Sequence, residues 1–176
     1  MTNIVNSDII YIGGDRMIET LEIKLLPIEE QKIYLLDTIK QYNLACNYIS
    51  QIAFENKTHS KVKLQKIAYY EVRDKYSLYS QMAIRAIGAV SELYKKDMSI
   101  VHIFEEQAPM MLDSKLLSFS SLDEASILTV HGRINVSIVI NGYHKENLFG
   151  NRLRGQADMV LIDDVFYLFV SVENKD

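Results

Sequence analysis

Cysteine is almost missing from this chain, where Cys46 is the single example. One thiol excludes an internal disulfide framework and a zinc ribbon built from cysteine pairs. Its place on a helical apolar stripe makes it a small core residue of a protein held in a reducing compartment. Long apolar runs are missing too. No stretch approaches the ~18 residues that a bilayer-spanning helix needs, and residues 1–17 lack the basic and apolar regions of a secretory signal. The expected location is the cytoplasm, with no membrane partner. The four histidines, His59, His102, His131 and His144, show no metal-ligand spacing. The carboxylate pairs Glu105/Glu106, Asp123/Glu124 and Asp163/Asp164 are sequence neighbours, so the members of each pair point in different directions and read as solvated charge. No nucleophile elbow, phosphate loop or dinucleotide fingerprint occurs. The expectation is a protein that is not an enzyme and holds no metal or cofactor.

What remains is 176 residues, 48% hydrophobic, enough to bury a core in one compact unit or two small ones. The net charge is −4, yet residues 57–96 hold nine Lys/Arg against Glu71, Asp74 and Glu92, a net of about +6. A phosphate-contacting footprint would be confined to that stretch, although basic surface helices of ordinary proteins look the same.

The apolar period changes once along the chain. Glu19 to Leu25 alternates, with Leu21, Ile23 and Leu25 on one face, which predicts a half-buried strand. Pro27 then opens a helix with Glu29 and Glu30 in its first turn and Leu35, Ile39, Tyr42, Cys46, Ile49 and Ala53 as its buried stripe. A second helix, from about Ser60 to Lys75, turns Leu64, Ala68 and Val72 inward and Lys63, Lys66, Tyr70 and Arg73 outward. Cations interleaved with a ring suit a phosphate track with a base packed on the tyrosine, though helix packing uses tyrosine as well. A third helix spans Tyr76 to Lys96 with Ser77 as N-cap. Met82, Ala86, Ala89, Val90 and Leu93 face inward, and Gln81, Arg85, Gly88 and Glu92 lie on the other side. Gln81 and Arg85, one turn apart, suit base edges and phosphates, and a solvated helix face carries such residues equally well. Asp97 to Met111 shows no period. Strands follow: Leu116 to Phe119, a hairpin of Ser126–Val130 and Arg133–Ile140 across His131 and Gly132, a polar loop from Asn141 to Leu153, and a hairpin of Ala157–Ile162 and Val165–Glu173 across Asp163 and Asp164. Periodicity alone gives α+β, helices first and strands later.

Six pieces in order, Thr20-Leu-Glu-Ile-Lys-Leu-Leu-Pro27, Asn43-Leu-Ala-Cys-Asn-Tyr-Ile-Ser50, Ser80-Gln-Met-Ala-Ile-Arg-Ala-Ile-Gly88, Leu116-Leu-Ser-Phe119, His131-Gly-Arg133 and Gly155-Gln-Ala-Asp-Met-Val160, resemble the N-terminal part of the transposon-encoded OrfB/TnpB proteins of prokaryotes. These are RNA-guided nucleases related to type V CRISPR effectors, and the resemblance covers residues 18–174. It implies a small oligonucleotide-binding-like β-barrel, the wedge, with a three-helix recognition-lobe insertion after its first strand. The corresponding division is an unmatched extension at 1–17, the first barrel strand at 18–26, the insertion at 27–97 and the remaining barrel at 98–176. It also implies binding of guide-type RNA and of double-stranded DNA flanking a target. Gln81 matches the family glutamine that approaches that DNA. Arg85, Lys63, Lys66, Tyr70, Arg73, Arg133, Arg152 and Arg154 are candidate nucleic-acid contacts from charge and placement alone. The family turn corresponding to Asp163/Asp164 usually has glycine second, so Asp164 must tolerate strain or the turn must differ.

In that family the cutting is done by a RuvC-like domain beyond the last wedge strand, and the sequence ends at Asp176. The expectation is a truncated, transposase-associated binding module without a catalytic domain. The alternatives are a protein-interaction or regulatory module partnering a separately encoded nuclease half, or a decayed transposon remnant. Gly13, Gly14 and Asp15 can be encoded by a purine-rich run resembling a bacterial ribosome-binding site, which predicts a translation start at Met17 and loosely held residues before it.

Overall fold

The computed structural model describes residues 10–11, 17–150 and 152–173. The fold is α+β, a small, nearly closed seven-stranded antiparallel barrel carrying a three-helix insertion after its first strand. In chain order the elements are β1 (Ile10–Tyr11), β2 (Met17–Leu26), α1 (Glu29–Glu55), α2 (Lys61–Lys75), α3 (Ser80–Lys96), β3 (Met110–Asp113), β4 (Leu117–Phe119), β5 (Glu124–Thr129), β6 (Gly132–Val139), α4 (Gly142–Gly150), β7 (Arg152–Ile162) and β8 (Val165–Glu173). The barrel order is β3-β7-β8-β2-β6-β5-β4, and β1 pairs with β2 through Ile10↔Ile18 and Tyr11↔Met17. Met1–Ile9 and 12–16, the rest of the extension expected to be loosely held, lie outside the described residues.

The chain divides into two compact units. One holds the chain up to Ile28, Met111–Ile127 and Asn135 onward; the other holds Glu29–Met110 and Leu128–Ile134. Residues 98–110, placed with the barrel by the sequence reading, group with the helices, as does the tip of the β5–β6 hairpin.

In the barrel unit, the two-residue alternation of β2 and β8 decides burial. Leu21, Ile23 and Leu25 on β2 and Phe166, Leu168, Val170 and Val172 on β8 are buried, with β2 and β8 in register from Ile18↔Glu173 to Lys24↔Tyr167. Each buried aliphatic side chain contributes about 1.5–3 kcal/mol of transfer free energy. The same alternation puts Glu19 on the core side, where it is buried and accepts a hydrogen bond from the Tyr143 hydroxyl on α4. That bond to a carboxylate holds the Tyr143 phenol above its ordinary range. The segment 142–150 is therefore a helix rather than the expected polar loop. Asn141 caps it, its Oδ1 accepting from His144 N at 2.8 Å and its carbonyl from Lys145 N at 3.0 Å. β3 was also unforeseen, because four residues are too few to show a period. β7 begins at Arg152 rather than Ala157, with a register shift between Leu153 and Ala157. At the β7–β8 turn Asp163 (φ 48°) and Asp164 (φ 64°) both adopt left-handed backbone, so the turn keeps its primed geometry and the aspartates tolerate it. The β5–β6 turn is Val130–His131 instead of His131–Gly132. Gly132 opens β6 at φ 105°, a conformation that a side chain would strain.

In the helical unit, α1 buries the whole expected stripe from Leu35 to Ala53. Its first residue is Glu29, two beyond Pro27. It ends in a left-handed Lys57 (φ 46°), with Thr58 N bonded to Ala53 O and Lys57 N to Phe54 O. α2 starts after Ser60, whose hydroxyl accepts from Lys63 N. α3 starts at Ser80 with Tyr79 at the N-cap, so Ser77 is not the cap. Ser77 has φ 55°, which the helix geometry excludes. The buried face of α3 is broader than expected: Ala83, Ile87, Ser91 and Tyr94 join Met82, Ala86 and Val90, while Ala89 and Leu93 are only half-buried.

Candidate nucleic-acid interface

Three small or branched residues, Leu64, Ala68 and Val72, are the whole buried stripe of α2. Four-residue spacing makes that stripe narrow, and most of the remaining helix surface is left outward. Lys63, Lys66, Tyr70 and Arg73, at steps of three, four and three, form the face opposite it, and all four are exposed. Tyr70 is 79% exposed. Beside this face Val62, Gln65, Lys66, Tyr69 and Tyr70 line an open depression of about 440 Å³. The rings of Tyr69 and Tyr70 meet edge to face at 5.1 Å, and the Arg73 guanidinium lies 5.4 Å from the Tyr69 ring centre, its Nη1 donating to the Tyr69 hydroxyl at 3.4 Å. Two rings braced by a guanidinium and flanked by two lysines offer a stacking platform next to cations, the combination that suits nucleobases and phosphates. Tyr69 and Val62 were not expected here; the sequence signal was present, since both lie one step from the predicted face.

The polar face of α3 is different. Gln81 and Arg85 are half-buried, and both already make interactions within the protein. At Gly88 the side chain of Lys61 crosses the helix, its Nζ 3.7 Å from where a Cβ would stand. Lys95, bonded to Glu92 at 2.6 Å, holds the Glu92 carboxyl below its ordinary range, with Lys96 and Lys61 adding to the effect. Cations from two helices are thus partly committed to one carboxylate.

Arg133 is exposed on β6 beside the hairpin tip and makes an interaction of its own. The tip is fastened to α1: Val130 N donates to Thr38 Oγ1 at 3.1 Å, His131 Nε2 lies 2.6 Å from Asp37 Oδ2, and the His131 ring stacks on Tyr34 at 4.6 Å. Arg152 and Arg154 have backbone on or beside the β7 register shift; their side chains lie outside the described residues. The structure therefore brings Lys63, Lys66, Tyr70 and Arg73 together, keeps Gln81 and Arg85 on a separate helix, and leaves the other three arginines elsewhere in the chain.

Tyr48 on α1 is hydrogen-bonded to Glu71 of α2, which pushes its phenol up to about 12. Lys75 Nζ sits 4.7 Å from the centre of the same ring. Glu71 and Lys75, on the flank of α2, are thereby tied to α1, which keeps the opposite flank and its cations at the surface. Cys46 is fully buried, and burial pushes its thiol far up, so it is no nucleophile. Among the described residues no group of three or more His, Cys, Asp or Glu is arranged to hold a metal ion, and no helix is long and apolar enough to cross a membrane.

Compared with known proteins, the chain matches no protein-family model and shows no significant match to a curated protein.

Proposed function

We propose that the chain is a nucleic-acid-binding module of the kind that its resemblance to OrfB/TnpB proteins implies, a transposase-associated protein that holds structured RNA and duplex DNA. One observation carries this reading: the face of α2 directly opposite its buried stripe presents Lys63, Lys66, Tyr70 and Arg73 to solvent, next to the braced pair Tyr69/Tyr70. Phosphate contact supplies the affinity, so binding should weaken steeply with salt, and ring stacking should favour unpaired bases over a perfect duplex. Gln81, through the resemblance alone, is the proposed contact to a base edge in target-flanking DNA. The module has no nuclease activity of its own and works in the cytoplasm.

A second reading rests on a different property of the same helix. Val62 and Ile67 are 65% and 47% exposed, and with Tyr70 they give α2 an apolar component that suits a protein partner, such as a separately encoded nuclease half. Titrating purified protein with a structured RNA at rising salt separates the two: a falling affinity fits phosphate contact, and an affinity indifferent to salt rejects it. Sequencing the nucleic acid that copurifies identifies the ligand. Labelled single- and double-stranded DNA should remain intact with Mg²⁺ or Mn²⁺, with or without that RNA. Metal-dependent cutting that disappeared in the Asp163→Ala/Asp164→Ala double variant would overturn the non-catalytic part of the proposal.

A further inference from the structure

The barrel order begins at β3 and ends at β4, two strands that follow one another in the chain across residues 114–116, so the barrel has a seam between its first and last strands. β3 pairs with β7, and β4 pairs with β5 through Leu117↔Ile127, Ser118↔Ser126 and Phe119↔Ala125. Asp113 fastens the turn between them: its Oδ1 accepts from Lys115 N at 2.9 Å and from Leu116 N at 3.3 Å, and its carbonyl accepts from Leu116 N at 2.9 Å. At the seam lies a cavity of about 160 Å³ whose buried lining is Leu112, Leu117, Ala157, Val170 and Asp113, the last only 5% exposed. The half-buried Phe119 and the exposed Ser114 and Gln156 complete it toward solvent. The space has a local cause. Ala157 stands opposite Val170 directly after the β7 register shift, and a methyl group at that position leaves room that a small barrel ordinarily fills with a larger side chain.

We propose that this cavity binds a small molecule with a single-ring-sized apolar body that carries a hydrogen-bond donor or a positive charge. Size sets the first half of that description. A dry apolar cavity of about 150 Å³ takes benzene, so this one holds one six-membered ring and excludes fused ring systems. The lining sets the second half. Asp113 places a carboxylate in the wall, Ser114 and Gln156 are neutral, and among the described residues no Lys, Arg or His lines the cavity. An anionic ligand would therefore meet a like charge in a partly desolvated setting, whereas an ammonium or a hydroxyl is attracted there. Burial of the ring against Leu112, Leu117, Phe119 and Val170 supplies affinity, and the polar groups fix orientation, the usual division of labour in small-molecule sites. The cavity belongs wholly to the barrel unit and uses none of the residues assigned to nucleic-acid binding, so the two proposals stand or fall separately.

Benzylamine, phenol and benzoate share one ring and differ in charge, which makes them the test set. In amide NMR spectra of the full chain, benzylamine and phenol should shift Leu112, Asp113, Leu117, Phe119, Ala157 and Val170, with dissociation constants of roughly 0.1–1 mM for ligands of this size. Benzoate should bind about tenfold more weakly than benzylamine. Two variants read the two halves of the proposal. Asp113→Asn keeps an oxygen for the turn amides and removes the charge, so it should bring benzylamine and benzoate to within about threefold of each other. Ala157→Leu fills the cavity and should weaken benzylamine about tenfold or more; if leucine overpacks the barrel and unfolds it, Ala157→Val takes its place. Spectra unmoved at several millimolar benzylamine, benzoate bound as tightly as benzylamine by the wild type, or Ala157 variants that bind like the wild type would each overturn the proposal. An unmoved wild-type spectrum together with a more stable Ala157→Leu variant would make the cavity a packing defect and nothing more.

Discussion

The outer face of α2 and the polar face of α3 read alike in the sequence, each a set of basic and amide residues at helical spacing, and the folded protein treats them in opposite ways. α2 buries three residues and leaves Lys63, Lys66 and Arg73 in solvent. α3 packs against both other helices of its bundle and buries seven, and its Gln81 and Arg85 are half-buried and engaged. Charge counted along a chain is therefore not the same as charge available to a ligand. Cations on the face of α2 turned away from the bundle keep their full attraction for phosphate, whereas Lys61 at the start of α2 and Lys95 and Lys96 at the end of α3 are partly neutralised by Glu92.

The widest break in that comparison comes from removing the α2 cations together. Lys63→Ala/Lys66→Ala/Arg73→Ala should lower affinity for structured RNA about tenfold or more at low salt and reduce the slope of log affinity against log salt by about 2–3, while thermal stability stays within error of wild type. Arg85→Ala should do the reverse, lowering stability by about 1 kcal/mol through the lost internal interaction and leaving the salt slope nearly unchanged. If Arg85→Ala cut the slope as deeply as the triple variant, the distinction between the two faces would fall.

Gln81 sharpens the same contrast at a smaller scale. As a contact to a base edge, Gln81→Ala should lose about 1–3 kcal/mol for a preferred duplex and little for unrelated DNA. The half-buried setting supplies the competing outcome, an equal loss on both accompanied by a lower melting temperature, which would make Gln81 a positioning residue for α3.

How much of this was legible in the sequence depended on whether the relevant partners were local. Leu64, Ala68 and Val72 repeat every four residues, and a strand would put Lys66 and Tyr70 on the same face with them, so the apolar stripe reads as helical and α2 and its outer face followed directly. The start of α3 did not, because serine is a frequent N-cap and nothing near Ser77 announces a left-handed residue. Asn43, Asn47 and Ser50 stood within a quoted motif, yet their partners lie 52–65 residues further on, and helical periodicity carries no information at that distance. The same holds for Glu19, whose place on the core side of β2 was readable, whereas the hydroxyl that satisfies it is 124 residues away. α4 was missed because it has no apolar stripe; the available signal was Asn141, a good cap residue two positions before Tyr143.

The smallest expected effect concerns Lys57, a cation on neither face. It occupies the left-handed position after α1, where Thr58 N reaches back to Ala53 O and Lys57 N to Phe54 O, a site that favours glycine. A side chain there costs about 1–2 kcal/mol of local strain. Glycine removes that strain but gives back about 0.4–1 kcal/mol through the greater freedom of the unfolded chain. Lys57→Gly should therefore stabilise the protein by about 0.5–1 kcal/mol in urea denaturation, with the slope of the transition unchanged. If the basic stretch acts through the face of α2 and not through its total charge, the variant should also bind structured RNA with the wild-type salt slope. A slope reduced by about one would enrol Lys57 in the footprint and extend it past Ser60 to the end of α1. A destabilised variant would mean that the Lys57 side chain makes a favourable contact large enough to outweigh its backbone strain.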